Sequence, residues 1–189
     1  MSLVTAVEVP GRSASLLEPI IGGPRYLQLV QAADQVRQLL AERTIWNVSS
    51  TATGGGVAEM LQVLVGYVSG FGIRVGWLVI SGDAQFFAIT KRLHNQIHGD
   101  LAGGPLGAAE AHHYTRMLTA NAVELLDRIQ PGDVALLHDP QTAGLAGASG
   151  KRLRPPPRRY IRRVEVRSSG RLQAIGPSRA SAAVVPCHA

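Results

Sequence analysis

Residues 45–80 run IWNV (45–48), SSTATGGG (49–56), VAEMLQVLVGYVSGFG (57–72), Ile73-Arg74 and VGWLVI (75–80), and this stretch decides the fold. Ile45 to Val48 reads as a short strand, and the Ser/Thr/Gly run after it has no pattern that would bury a face. Val57, Met60, Leu61, Leu64, Val65 and Val68 then fall at i, i+3, i+4, i+7, i+8 and i+11, the spacing of an amphipathic helix, which Gly70 and Gly72 stop. Val75 to Ile80 is nearly all apolar, as a strand covered on both faces must be.

The pattern continues on both sides. Upstream, Leu29, Val30, Ala33, Val36, Leu39 and Leu40 give Tyr26 to Glu42 a helical period. Residues 1–24, with Pro10, Pro19, Gly22, Gly23 and Pro24, read as an irregular segment. Downstream, Ser81-Gly82-Asp83 turns the chain into a helix through Phe86, Ile89, Leu93 and Ile97, and Gly99 to Gly107 is a glycine-rich loop. A further helix runs from about Glu110 to Gln130. Pro131-Gly132-Asp133 then turns into a third buried strand, Val134 to Leu137, ending at His138. Strands alternating with long helices require crossovers, so the expected fold is a Rossmann-like α/β domain, a parallel sheet with helices on both faces.

Composition fits that reading and divides the chain. With 189 residues, 46% hydrophobic and 17% charged, there is enough apolar material for one domain with a core. A single cysteine, Cys187, excludes a disulfide framework or a cysteine zinc site. No signal peptide or bilayer-length apolar run is visible, and the expectation is a soluble, cytoplasmic protein without a membrane partner. The net charge of +6 is unevenly spread: residues 1–146 carry −3 and residues 147–189 carry +9. Two regions follow, a folded domain over 1–146 and a basic, Pro/Arg-rich tail over 147–189 with at most a short strand at Tyr160 to Val166. The tail is expected to be disordered, or the product of a shifted reading frame. Its ten basic residues lack aromatic interleaving apart from Tyr160, so a nucleic-acid partner is not expected.

In open parallel sheets, ligands bind beyond the carboxyl ends of the strands. Three such ends carry polar, chemically capable residues. After the first strand, Gly54, Gly55 and Gly56 precede a helix, where close backbone approach and unpaired N–H groups suit an anion; a ligand-free tight turn fits equally. The dinucleotide pattern fails because its third glycine falls at Glu59, and the P-loop pattern lacks its Gly-Lys-Ser/Thr. After the second strand come Asp83 and then Lys91, His94 and Asn95 within one helical turn, a donor and acceptor set suited to sugar hydroxyls. The same residues also fit an N-cap followed by a solvated face. After the third strand stand His138, Asp139, Pro140 and Gln141, expensive to bury unless used, with a helix-capping turn as the alternative. His112 and His113 point apart on their helix and read as surface residues. Asn47-Val48-Ser49 matches a glycosylation sequon, a coincidence within a buried strand. No metal site and no Ser-His-Asp arrangement can be assembled.

Three stretches, IWNVSSTATGGGVAEMLQ, ISGDAQFFAITKRLHNQIHG and GDVALLHDPQTAGL, in that order and spacing, resemble the N-terminal domain of trehalose synthases (trehalose glycosyltransferases) and of the related retaining trehalose phosphorylases. The resemblance covers about residues 26–146. It implies the acceptor-side half of a two-domain GT-B glycosyltransferase, incomplete here. The implied reaction transfers glucose from ADP- or UDP-glucose to glucose with retention, without a metal or cofactor, and the substrates are the partners it names. A homodimer is a compatible assembly. By the same resemblance His138 and Asp139 are catalytic, and Gly54, Gly55 and Gly56 lie against the donor's phosphates and glucose. Asp83, Lys91, His94, Asn95 and Gln141 surround the acceptor sugar. The alternatives are a trehalose phosphorylase fragment and a non-catalytic sugar- or nucleotide-binding module.

Overall fold

The computed structural model describes residues 2–146 and 183–185. Chain order runs β1 (Val4–Ala6), a 3₁₀ turn (Ala14–Leu17), α1 (Glu18–Ile21), α2 (Gly23–Leu40), β2 (Ile45–Ser49), α3 (Gly56–Gly70) and β3 (Val75–Ile80). It continues with α4 (Ala84–Ile97), α5 (Ala108–Arg128), β4 (Val134–His138), α6 (Asp139–Ala143) and β5 (Ala183–Val185). These form a five-stranded sheet in the order β1-β3-β2-β4-β5. Strands β3, β2, β4 and β5 run parallel, with Val48 opposite both Leu78 and Leu137.

The crossovers place helices on both faces, as the Rossmann-like reading requires. On one face Leu118, Ala122 and Leu125 of α5 pack with Val48, Leu78, Ile80 and Leu137. On the other, Ala58, Leu61 and Val65 of α3 pack with Trp77. The period of two along a strand explains how Trp77 and its neighbour Leu78 serve opposite layers. Chain connection leaves β2 toward β3 on one side and later returns to β4 on the other. The order therefore reverses between β2 and β4, and the crevice above their carboxyl ends is the topological switch point where open sheets take ligands. This α/β architecture is that of a partial GT-B Rossmann-like domain.

Three details depart from the sequence reading. Residues 1–24 are not wholly irregular, because β1 pairs antiparallel with β3 and makes the sheet mixed. Glu124 of α5 holds its start, accepting the Ser2 hydroxyl and the N–H groups of Leu3 and Val4. The α3 face is also rotated from the expected one: Ala58, Leu61, Val65 and Gly66 are buried, whereas Met60 and Leu64 are 40% and 45% exposed. Gly70 explains the rotation, since a Cβ there would lie 1.8 Å from the Arg12 carbonyl of the segment crossing the helix. Third, α5 begins at Ala108 and ends at Arg128, a two-residue shift at each end. The strand expected at Tyr160 to Val166 lies outside the described residues.

Candidate functional site at the carboxyl edge of the sheet

The register sets the ends of β2, β3 and β4 along one edge. At the end of β2 the Ser49 hydroxyl accepts the Trp77 Nε1–H at 2.8 Å and donates to the Thr51 carbonyl at 3.0 Å, which fixes how the chain leaves the sheet. Gly54 and Gly55 then take φ of +73° and +95°, a region that L side chains rarely adopt. No atom lies within 4 Å of where a Cβ would stand on Gly54, Gly55 or Gly56, so the space above this turn is open. Gly55 caps α3 with no side-chain hydrogen bond, leaving first-turn N–H groups without a side-chain partner.

His138 closes β4 with its side chain on the same sheet face as Asn47, Ser49 and Trp77. It is 5% exposed, and its Nε2 lies 3.0 Å from the Oδ1 of Asn47, itself 3% exposed. Its Nδ1 is buried with no hydrogen-bond partner among the described residues. Burial pushes the imidazole below its ordinary value, and the nearby Asp139 carboxylate opposes that shift. Asp139 adopts φ +66° directly before Pro140, a strained position for a residue with a Cβ. The strain is held from both sides. Thr142 Oγ1 donates to the His138 carbonyl at 2.6 Å, and the Tyr114 hydroxyl donates to the Pro140 carbonyl and accepts the Gly144 N–H. Gln141 Oε1 is a further buried oxygen without a partner among the described residues. Asp139 does not cap α6 with its side chain, so the capping alternative does not hold there.

At the end of β3, buried Asn121 clamps Ser81 through both its N–H and its carbonyl. Asp83 does cap α4, accepting the Phe86 N–H at 2.7 Å. The same oxygen faces His113 Nε2 at 2.8 Å, while His113 Nδ1 lies 2.9 Å from Arg116. A guanidinium only donates, so Nδ1 accepts and Nε2–H donates to Asp83. The Phe86 N–H first, then the His113 hydrogen bond, hold the Asp83 carboxyl below its ordinary value. His113 is therefore no surface residue; it is 7% exposed, and the expectation for it is corrected, while His112 is exposed.

The carboxyl ends of the strands set His138, Asp139, Gln141, Asp83 and the glycine turn along one edge, while Lys91, His94 and Asn95 stand further along α4, which packs against α6. Eleven residues divide Asp83 from His94, about 16 Å along α4 and longer than one sugar ring. Lys91 and His94 are exposed, and Asn95 donates to Asp100 at 3.3 Å. Sequence reasoning gave no site role to Asn47, His113, Arg116 or Asn121. Among the described residues no three His, Cys, Asp or Glu side chains gather as a metal site, and no helix is long and apolar enough to cross a membrane.

The fold and its edge define a Rossmann-like α/β domain with a histidine, a strained carboxylate and an open glycine turn at its switch point. The family described as "Trehalose synthase, N-terminal domain" matches residues 47–166, and the chain belongs to that family. The match runs beyond Ala146, so it includes part of the basic stretch. Trehalose synthase from Pyrococcus horikoshii is 33% identical over 126 residues, covering 67% of this chain and 29% of that protein. Trehalose synthase from Rubrobacter xylanophilus is 33% identical over 106 residues, 56% of this chain and 25% of that protein. Trehalose phosphorylase from Pleurotus pulmonarius is 30% identical over 155 residues, 78% of this chain and 21% of that protein. The chain thus spans less than a third of the length of these relatives.

Proposed function

We propose that the chain is the acceptor-side portion of a retaining glycosyltransferase that moves glucose from ADP- or UDP-glucose to glucose, forming trehalose. The carrying observation is the convergence at the β2/β4 switch point of an unpartnered histidine nitrogen, a strained carboxylate and an open glycine turn. Gly54, Gly55 and Gly56 take the donor's phosphates and transferred glucose, where backbone N–H groups favour anionic oxygens. His138 and Asp139 face the sugars, and a neutral His138 orients a hydroxyl rather than delivering a proton, a preorganising role. Asp83 and Gln141 meet the acceptor at the edge, while Lys91, His94 and Asn95 meet only a ligand that reaches along α4. Attack occurs on the front side, with the departing phosphate taking the acceptor's proton.

Titration calorimetry of the chain with glucose, trehalose and ADP-glucose tests this reading. Glucose and trehalose should bind weakly, with Kd on the order of 1 mM, and His138→Ala should weaken both. Tight ADP-glucose binding with no response to either sugar would make the chain a nucleotide-binding module instead. The wider cover of the Pleurotus phosphorylase match supports a second reading, in which inorganic phosphate occupies the glycine turn. Phosphate that sharpens glucose binding would favour that direction of reaction.

A further inference from the structure

Asn47 lies in the middle of β2, between Trp46 and Val48, at a buried position where an apolar side chain would be the cheaper occupant. Both ends of its amide are committed. Nδ2 donates to the Gly76 carbonyl of β3 at 3.4 Å, which turns Oδ1 toward His138 Nε2 of β4. An amide oxygen has no proton to give, so the imidazole must place its own on Nε2. A neutral ring carries one N–H, and Nδ1 is left as a bare acceptor, buried and unpartnered among the described residues. A buried polar atom without a partner costs free energy unless something else satisfies it.

We propose that Asn47 is a positioning residue that holds His138 in the Nε2–H tautomer, so that Nδ1 accepts a hydrogen bond from a hydroxyl of the bound sugar. The sugar part of this inference rests on the function proposed above. The chemistry is selective: a hydroxyl has a hydrogen to donate to bare Nδ1, whereas an ionised phosphate oxygen has none. Burial of the ring favours its neutral form and keeps that lone pair available. The glycine turn and His138 therefore divide the ligand between them, the turn taking anionic oxygens and the ring taking a hydroxyl.

Long-range ¹H–¹⁵N correlation spectra of the full 189-residue chain at mildly alkaline pH read the tautomer directly. The expected pattern for His138 is a protonated Nε2 and a bare Nδ1. Asn47→Leu should lose that preference and bind glucose about tenfold more weakly, the worth of one hydrogen bond at the upper end of its range. Asn47→Asp keeps an acceptor oxygen, so it should retain the Nε2–H tautomer and raise the pH at which His138 titrates. A wild-type ring protonated on Nδ1 overturns the inference. So does an Asn47→Leu chain with unchanged tautomer or unchanged glucose affinity. Should Asn47→Leu fail to fold, an unmoved His138 titration in Asn47→Asp overturns it alone. If the wild-type chain binds neither glucose nor trehalose, the proposed function falls, and the spectra still decide what Asn47 does to His138.

Discussion

Asp139 carries the most unusual backbone among the non-glycine residues of the site, at φ +66° immediately before a proline. Such a position costs an L residue about 1–2 kcal/mol that glycine does not spend. Asp139→Gly should therefore leave the chain about 1 kcal/mol more stable than Asp139→Ala. Urea denaturation compares the two, and equal midpoints would mean that Asp139 is not strained. Two adjacent histidines give a second contrast. His113 is buried and hydrogen-bonded to Asp83 and Arg116, so His113→Ala should cost about 1–3 kcal/mol. His112→Ala, on the exposed side, should stay within about 0.5 kcal/mol of wild type. Equal losses in thermal melts would contradict the placement of α5. Adjacent helical residues point about 100° apart, so the two could differ in burial, but the sequence does not say which faces inward. The positions of His138, Asp139 and Asp83 at the carboxyl edge were legible because polar residues at the ends of apolar strands stand out. Asn47 carried the same signal, a polar residue inside an apolar strand: the burial that makes its sequon a coincidence also demands a partner for its amide.

Elements built on local periodicity were readable and those built on distant contacts were not. Strands β2, β3 and β4 and helices α4 and α5 follow from apolar runs and spacing within a few residues. β1 is only three residues long, and what makes it a strand is β3's free edge and the carboxylate of Glu124, more than a hundred residues away. The α3 face was misread for a related reason. Apolar Met60, Val63 and Leu64 also stand on the outer side of α3, so spacing alone does not declare its buried side; the glycines that admit the crossing segment do. β1 carries its own prediction. The Ser2 hydroxyl first, then the Leu3 N–H, hold the Glu124 carboxyl below its ordinary value of 4.5. A carboxylate with a depressed folded pKa stabilises above the unfolded value, and that contribution is lost as pH falls through the folded one. Glu124→Gln should thus flatten the decline in stability on the acid side, below about pH 4.5. It should also speed amide hydrogen exchange at Leu3 and Val4 while leaving β2 protected. Unchanged exchange at those amides would show that β1 is held by its ladder to β3 alone.

At the scale of the molecule, charge decides what this polypeptide can do by itself. A sugar nucleotide departs as a diphosphate, and transfer requires that its growing negative charge be met by fixed positive groups. Residues 1–146 hold nine Lys and Arg against twelve Asp and Glu, and four of those cations are paired within the domain. Arg37 pairs with Asp34 and Arg74 with Glu42 toward the amino edge, Arg92 pairs with Glu110, and Arg116 serves His113. The glycine turn offers backbone N–H groups and one helix terminus, which orient an anion but do not neutralise two phosphates. Losing such electrostatic stabilisation costs a typical enzyme about 3–4 kcal/mol per donor. The expected outcome is that the 189-residue chain, supplied with ADP-glucose and glucose, forms no trehalose above the uncatalysed background while still binding glucose. Chromatographic detection of trehalose from purified chain measures this. Turnover lost in His138→Ala but present in wild type would show that the donor's charge is met by residues of this chain, and the division of labour proposed here would have to be redrawn around them.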